Sequence, residues 1–323
     1  MICFHIQQSE VVGLRLDKYL VSQMPDYSRS RIQSWIRSSN VLVNGLNRKT
    51  GYTLELNDII NVEPQEIVEL NSNLIPEKMD LDILFEDEEI VIINKPAGLV
   101  VHPGTGNTTG TLVNGLVDHF NNLSDLNGQI RPGLVHRLDA NTSGIMVIAK
   151  TNLAHANLAD QFLNREIKKK YTALTWGLWT ENTGEIDQPI ARKKKDLTSY
   201  TVSEDGKSSI TKYKVEKKFR HLSKVSFYPK TGRTHQIRVH ATYLGYPIFG
   251  DMKYGGGFSK TRGFLPEFTN YYKKKMKKFN RHALHATRLE FTHPTTKLPV
   301  TFESTLPSDF LNLMNSIESF YDE

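Results

Sequence analysis

The hydrophobic pattern of the first 62 residues predicts a compact unit of two helices and a small sheet. Two groups of apolar residues recur at helical spacing: Leu16, Tyr19 and Leu20, and then Ile32, Trp35 and Ile36. Ser28 is the expected N-cap of the second helix. The segment 41–51 alternates apolar and polar residues around Asn44-Gly45, a pair that accepts the positive φ angles of a hairpin turn. Residues 53–62 supply the closing strands.

From about residue 80 to the end, the pattern predicts a larger region with helices over 110–120 and 152–167. Six segments are expected to form strands: 90–95, 98–102, 169–178, 208–219, 222–230 and 282–294. The polar-rich segment 233–240 is also assigned to a strand. Several of these segments alternate apolar and polar residues, which favours a mixed, largely antiparallel sheet. The predicted fold class is therefore α+β (mixed α/β).

Charge is distributed unevenly along the 323-residue chain, whose formal net charge is +6. Residues 63–89 hold ten carboxylates and one lysine, whereas residues 165–221 hold fourteen Lys and Arg and eight acids. This separation suggests a face for a polyanion, with solvated surface charge as the alternative. The acidic segment 64–79 has two prolines and no sustained periodicity. It is the predicted linker between a first domain, 1–75, and a second domain, 76–323.

The cysteine content and the apolar segments limit the class of protein. The single cysteine, Cys3, excludes an intramolecular disulfide and a zinc site built on thiolates. The first residues lack the features of a signal peptide, and no stretch approaches the eighteen or so apolar residues of a membrane span. We therefore expect a cytoplasmic protein that does not contact a membrane.

The segment 133–150, GLVHRLDANTSGIMVIAK, concentrates polar residues directly before an aliphatic strand. Asp139 is followed by turn formers, so its carboxylate is expected on a loop that the next strand holds in place. An aspartate at such a place more often forms an Asx turn or pairs with an arginine than acts in catalysis. An arginine from the polar cluster 233–240, if it lay beside this loop, would keep the carboxylate ionised and oriented.

Other chemistries fit the residues less well. His235 and His240 lack the acidic companions of a metal site, so no metal is expected. Ser143 is not part of a G-x-S-x-G elbow, which argues against a serine hydrolase. The glycine-rich segment 104–110 lacks the Gly-Lys-Ser/Thr end of a P-loop.

Aromatic and basic residues point toward RNA. Tyr171 follows a basic run at the start of a predicted strand, where a tyrosine is usually a core or edge residue. A protein that takes a base out of an RNA stack needs such an aromatic face. Arg29, Arg31 and Arg37 lie off the apolar stripe of the second N-terminal helix and are available to contact phosphate, although helix solubility explains them equally simply.

Several motifs carry a family resemblance. HRLDANTSG at 136–144, REIKKKYTAL at 165–174, GRTHQIRVH at 232–240 and HALHATRLEF at 282–291 occur in the order and approximate spacing of the RluA family of RNA pseudouridine synthases. The chain is similar to the D branch of that family, and the resemblance covers roughly residues 10–312. RLDKYL, SRSRIQSWI and VLVNG near the N-terminus resemble an S4 RNA-binding module.

The resemblance implies an isomerase that converts uridine to pseudouridine without a cofactor or a metal. It assigns the nucleophile to Asp139, which either adds to the ribose C1′ or assists removal of the 2′ proton. Arg238 is implied as the ion partner of Asp139. Tyr171 is implied as the stacking partner of the flipped uracil and as an acceptor of its C5 proton, and Arg137 as the side chain that replaces the departed base.

The same resemblance implies a partner, 23S rRNA or a precursor of the large subunit, with helix 69 as the target. Arg233 and His235 are also expected to bind RNA, and the chain is expected to be a monomer. Lys193–Lys195 replace a His-Pro pair common in the family, which would alter the grip on substrate. The basic insert 258–282 is expected to be a flexible loop that either contacts phosphate or is solvated.

Two rival functions can be distinguished from a synthase by features of the sequence. A non-catalytic S4-type RNA-binding or ribosome-assembly factor would have lost Asp139, Tyr171 or Arg238, and all three are present. An S4-bearing RNA methyltransferase would need a glycine-rich cofactor loop between a strand and a helix. The segment 94–106 lacks that arrangement.

Overall fold

The computed structural model describes residues 2–7, 9–25, 27, 29–64, 74–104, 107–128 and 131–322. The N-terminal residues form two helices on a four-stranded antiparallel sheet with strand order β1-β4-β2-β3. The elements of this unit are β1 (Ile2–His5), α1 (Leu16–Gln23), α2 (Arg29–Arg37), β2 (Val41–Val43), β3 (Leu46–Asn47) and β4 (Ile59–Val62). The six apolar residues predicted to recur at helical spacing are all buried in one core.

The predicted N-terminal hairpin is confirmed. Asn44 and Gly45 have φ angles of 55° and 73° between β2 and β3, as a two-residue hairpin turn requires. Of the segment 53–62, only residues 59–62 form a strand. Ser28, the predicted N-cap, lies outside the described residues.

The second region is built on one mixed sheet. Its strands are β5 (Ile83–Glu86), β6 (Ile90–Lys95), β7 (Ser143–Ala149), β8 (Lys168–Trp176), β9 (Thr183–Asp187), β12 (Ile210–Lys218), β13 (Leu222–Pro229), β14 (Leu284–Thr292) and β15 (Pro299–Glu303), while β10 (Ile190–Arg192) and β11 (Tyr200–Val202) form a separate hairpin. The order is β5-β6-β7-β14-β8-β13-β12-β9, with β15 also paired to β14. Only β7 and β14 run parallel among these pairs. The prediction of a mixed, largely antiparallel sheet is confirmed.

Five helices accompany this sheet in the described residues. They are α3 (Leu112–His119), α4 (Asn152–Leu163), α5 (Gln236–Tyr243), α6 (Pro266–Phe279) and α7 (Ser308–Asp322). Thr151 caps α4 by accepting a hydrogen bond from the Ala154 backbone N–H at 3.1 Å. Pro266 occupies the first position of α6, where its missing N–H costs no helical hydrogen bond.

The junction of β7 and β14 depends on a glycine. Gly144 has φ +118°, and a Cβ there would lie 2.2 Å from the carbonyl oxygen of Ala286 on β14. Only glycine permits this approach of the two backbones. The junction therefore fixes where β7 begins, and with it the loop that holds Asp139.

Three sequence predictions are corrected here. Residues 98–102 form no strand. The insert 258–282 is not a loop, because α6 occupies most of it and buries Phe268 and Tyr272 in the largest core. Part of the predicted linker is packed: Asn114 on α3 donates to the Ile75 carbonyl at 2.8 Å, while residues 65–73 lie outside the described residues.

The assignment of 233–240 to a strand is also wrong, since α5 begins at Gln236. Polar residues at 236, 238 and 240 alternate with apolar ones, which is the period of a strand. All of these side chains are buried, however, because α5 is enclosed on its polar face as well as its apolar one. The polar residues of this segment therefore alternate because they have buried partners, and the alternation does not indicate an amphipathic strand.

Candidate active site

An arginine from α5 joins two carboxylates beside the loop that precedes β7. Arg238 Nη1 donates to Asp139 Oδ2 at 2.9 Å. Its Nε and Nη2 donate to the two oxygens of Asp251 at 2.7 and 2.9 Å. Arg238 and Asp251 are buried, whereas the Asp139 side chain keeps 19% of its surface exposed. Asp251 thus orients the guanidinium through a bidentate pair, and the remaining nitrogen faces the carboxylate that solvent can reach.

The electrostatics of this cluster keep Asp139 ionised. Burial raises the pKa of the Asp139 carboxyl, but neighbouring positive groups lower it more, so the net pKa is below its usual range. His235 and His282 contribute only when protonated, and burial lowers the pKa of each to about 4. At neutral pH, Arg238 is therefore the cation that holds Asp139 as a carboxylate.

Asp139, His235 and Arg238 line a cavity of about 440 Å³. Its wall includes six of the predicted site residues: Arg137, Asp139, Tyr171, Arg233, His235 and Arg238. The volume is within the range of pockets that enclose a small ligand. The chain segments that meet here are far apart in sequence, and Asp139 and Arg238 are separated by 99 positions.

Tyr171 lies on β8 and is half-buried between two cores. Burial, and then the charge of Asp139, raise the pKa of its hydroxyl, so the phenol is neutral at physiological pH. Its ring contributes to the cavity wall. The site therefore places an aromatic face and an ionised carboxylate around one space.

Arg137 and Arg233 are exposed at the same cavity. Arg137 makes no hydrogen bond or ion pair with any residue that the structure describes, so its charge is available to an outside partner. Arg233 donates through Nε to the Ser208 carbonyl at 3.2 Å. His136, next to Arg137, has another role, because its Nε2 accepts from the Val147 backbone N–H at 3.0 Å.

Comparisons with known proteins bear on this site. A family model described as RNA pseudouridylate synthase matches residues 89–243, and one described as S4 domain matches residues 14–60. The ribosomal large subunit pseudouridine synthase D of Escherichia coli (strain K12) is 38% identical over 315 residues, covering 97% of this chain and 93% of that protein. This chain belongs to the RNA pseudouridine synthase family.

Two further relatives of the synthase have names of the same family. The uncharacterized RNA pseudouridine synthase YlyB of Bacillus subtilis (strain 168) is 43% identical over 303 residues, and the match covers 94% of each chain. Among solved structures, human RNA Pseudouridylate Synthase Domain Containing 4 has a TM-score of 0.53 and 27% identity, covering 73% of this chain and 92% of that chain. The matches to the two bacterial proteins therefore extend over nearly the whole of this chain, and the structural match over about three quarters of it.

The Asp139 loop of the synthase is supported by buried groups that the sequence did not single out. Thr142 Oγ1 and His282 Nε2 are 2.7 Å apart, and Ser143 Oγ lies 2.9 Å from His285 Nδ1. Lys95, 1% exposed, donates to three carbonyl oxygens, including that of Ala140 at 2.9 Å. Burial lowers the pKa of Lys95 to about 7. The HALHA and INKP segments were the available signals, but a sequence does not show which loop a buried side chain holds.

The backbone at His235 is strained. Its φ of 59° and ψ of 17° lie in the left-handed region directly before α5, which costs a residue other than glycine on the order of 1 kcal/mol. Nε2 of the ring lies 3.8 Å from Asp139 Oδ1. Strain of this kind persists where the surroundings determine the conformation, and here it places an imidazole beside the carboxylate.

The three arginines predicted to contact phosphate differ in their surroundings. Arg29 pairs with Asp17 at 2.8 Å and is half-exposed. Arg31 lies over the rings of Tyr27 and Trp35, at 5.2 and 5.6 Å from their centroids. Arg37 is exposed at the end of α2. The three side chains are on one helix, but Arg29 also stabilises the fold.

Asp17 is the acceptor at the centre of the N-terminal unit. It is fully buried and accepts from Arg15, Arg29 and Gln33 at distances between 2.6 and 3.2 Å. Burial raises the pKa of Asp17, but the three donors lower it further, to well below its usual range. Its stabilisation is therefore complete above the unfolded-state pKa of about 4 and is lost as pH falls.

We expect Asp17→Asn to destabilise this unit by about 2 kcal/mol, because charge-assisted hydrogen bonds are lost. In the full-length Asp17→Asn variant, backbone amides of α1 and α2 should be less protected from hydrogen–deuterium exchange than in the wild type at neutral pH. Protection in the wild type should fall to the level of the variant only in acid. The exposed Asp160→Asn serves as the matched control. Unchanged protection in Asp17→Asn would contradict the structural role given to this carboxylate.

The described residues were also searched for metal-binding groups and for membrane-spanning helices. Within the described ranges, no three His, Cys, Asp or Glu side chains are grouped so that they could hold a metal ion. None of the helices in the same ranges has the length and apolar character needed to cross a membrane.

Proposed function

We propose that this chain isomerises uridines to pseudouridine in the RNA of the large ribosomal subunit, with helix 69 of 23S rRNA as substrate. The observation that carries the proposal is the Asp139 carboxylate, held ionised by Arg238 at 2.9 Å in the wall of a cavity. The relatives named ribosomal large subunit pseudouridine synthase D support the choice of RNA. The location that fits this substrate is the cytoplasm.

The reaction needs little beyond a carboxylate and a place for the base. The C1′–N1 bond of uridine breaks, the uracil turns within the cavity, and a C1′–C5 bond forms. The C5 hydrogen leaves as a proton, and N1 gains one, so atoms and oxidation state balance. Asp139 either adds to C1′ or helps to remove the 2′ proton, and in both routes it must begin as a carboxylate.

The other site residues have distinct proposed tasks. Arg238 keeps Asp139 ionised and oriented. The ring of Tyr171 receives the uracil, and its hydroxyl oxygen takes the C5 proton while the hydroxyl's own proton passes to solvent in the cavity. Arg137, free of partners among the described residues, fills the place that the flipped nucleotide leaves in the RNA. Arg233 and His235 line the route by which the strand enters the cavity.

The N-terminal unit is proposed to hold the RNA outside the cavity. Arg31 and Arg37 on α2 supply positive charge, and contacts of this kind fix position without reading sequence. The domain division at 75/76, the monomeric state and the independence from cofactors belong to the same proposal.

Mapping pseudouridines in a strain that lacks this chain tests the activity and the target together. We expect the helix 69 pseudouridines to disappear, and to return when wild-type protein is supplied but not when Asp139→Asn protein is supplied. Loss of pseudouridines at other RNA positions would overturn the helix 69 assignment alone. An unchanged pseudouridine map of all cellular RNA would overturn the proposed activity and favour a non-catalytic assembly factor.

A further inference from the structure

The hydroxyl of Tyr254 connects three elements around the catalytic carboxylate. Tyr254 ends the short turn after Asp251 and is 6% exposed. Its oxygen accepts a hydrogen bond from the Tyr200 backbone N–H at 3.0 Å, and it lies 2.7 Å from His235 Nδ1. The Arg238 guanidinium stacks over its ring, 4.8 Å from the centroid. Tyr254 thus contacts two of the groups beside Asp139, His235 and Arg238.

Counting protons at this hydroxyl decides which nitrogen of His235 carries hydrogen. The Tyr200 N–H can only donate, so the hydroxyl already accepts one bond. Its own proton needs an acceptor, because a buried unsatisfied donor is costly. Among the described residues, His235 Nδ1 is the only other partner within hydrogen-bonding distance of this oxygen. Tyr254 therefore donates to Nδ1, and the ring proton is on Nε2.

The surroundings of His235 Nε2, on the opposite edge of the imidazole ring, independently place the ring proton on Nε2. His235 Nε2 lies 3.8 Å from Asp139 Oδ1. An unprotonated Nε2 would direct its lone pair at the carboxylate oxygen and be repelled. A protonated Nε2 directs the positive end of its N–H bond at that oxygen and is attracted. A doubly protonated ring is excluded at neutral pH, since burial lowers the pKa of His235 to about 4.

We propose that Tyr254 is a positioning residue that fixes His235 as the neutral tautomer with its proton on Nε2, aimed at Asp139. The two carboxylate oxygens then have different surroundings. Oδ2 is bound by Arg238, while Oδ1 makes no hydrogen bond to any residue the structure describes and lies 3.8 Å from His235 Nε2. Oδ1 is therefore the oxygen left for reaction with the nucleotide. This last step rests on the proposed function, and the tautomer does not.

Nitrogen NMR of histidine-labelled full-length protein at pH 7.5 tests the tautomer directly. The His235 signals are assigned by their loss in His235→Gln, and the two ring nitrogens of a neutral histidine have widely separated shifts. We expect the Nε2–H form in the wild type and a mixture of tautomers in Tyr254→Phe, because phenylalanine cannot donate to Nδ1. An Nδ1–H form or an imidazolium in the wild type would overturn the proposal.

Kinetics test the consequence for catalysis. With rRNA tritiated at the uracil C5, we expect tritium release by Tyr254→Phe to show kcat lowered about tenfold with KM unchanged. Tyr246→Phe is the matched control, since that hydroxyl also accepts a backbone N–H, from Thr180 at 3.3 Å, and does not line the cavity. Equal kcat in both variants, or a loss confined to KM, would refute the positioning role.

The tautomer of His235 and the activity of the protein are tested by separate measurements. If Tyr254→Phe does not fold, the wild-type spectrum still decides the tautomer. If wild-type protein shows the Nε2–H form but releases no tritium from any RNA, the proposed function fails while the assignment of Tyr254 stands.

Discussion

Asp139→Asn should lower pseudouridine formation at least ~10⁴-fold, as loss of a nucleophile does in enzymes whose other groups remain in place. The amide keeps the volume of the carboxylate and can still accept a hydrogen bond from Arg238, so fold and RNA affinity should be retained. It cannot add to C1′ or accept a proton at a useful rate. Tritium release from rRNA labelled at the uracil C5, together with RNA binding by anisotropy, measures both quantities.

A control variant makes this result specific. Asp118→Asn, an exposed substitution on α3, should leave both measurements unchanged. An Asp139→Asn protein that still formed pseudouridine at a rate near wild type would remove Asp139 from the nucleophile role. A variant that lost RNA binding as well would show that the carboxylate also shapes the substrate site.

Arg238→Lys should lower kcat about 10²-fold, although the charge is conserved. The wild-type guanidinium reaches Asp139 with one nitrogen and Asp251 with two. A lysine ammonium is a single point on a flexible chain and cannot bridge both carboxylates in this geometry. The loss should appear in kcat more than in KM, because the arginine orients the reacting group.

The pH dependence of kcat should also change in Arg238→Lys. Arg238 helps to hold the pKa of Asp139 below its usual range, so the acid limb of wild-type kcat should lie in strongly acidic solution. A weaker ion pair in Arg238→Lys lets that pKa rise, and activity should then be lost at a higher pH as the solution is acidified. Arg288→Lys, at an exposed pair with Glu290, is the control. An acid limb that does not move would contradict the role given to Arg238.

The motifs predicted which residues meet at the site better than they predicted its secondary structure. Asp139 on a loop before a buried strand, and an arginine of the 233–240 cluster beside it, followed from turn formers and from the excess of polar groups. That cluster was nevertheless assigned to a strand, since its residues alternate. Alternation distinguishes strand from helix only where one face meets solvent, and residues 236–241 of α5 are all buried.

The partners of the site were the part that could not be predicted. Asp251, Tyr254 and His282 are ordinary polar residues in the sequence, and each acquires its function from a neighbour many positions away. His282 contacts Thr142 across 140 positions. Local propensity and spacing carry no information on such pairs, because the contact is created by sheet topology.

The parallel pairing of β7 with β14 has a consequence for biosynthesis. Ser143 meets His285 across 142 positions, so β7 has no partner on this side until nearly the whole chain has been made. Contacts of such long separation form late in folding. A nascent chain therefore acquires Asp139, Tyr171 and Arg238 well before it acquires the strand that seats them. It should gain activity only after β14 has left the ribosome that is synthesising it.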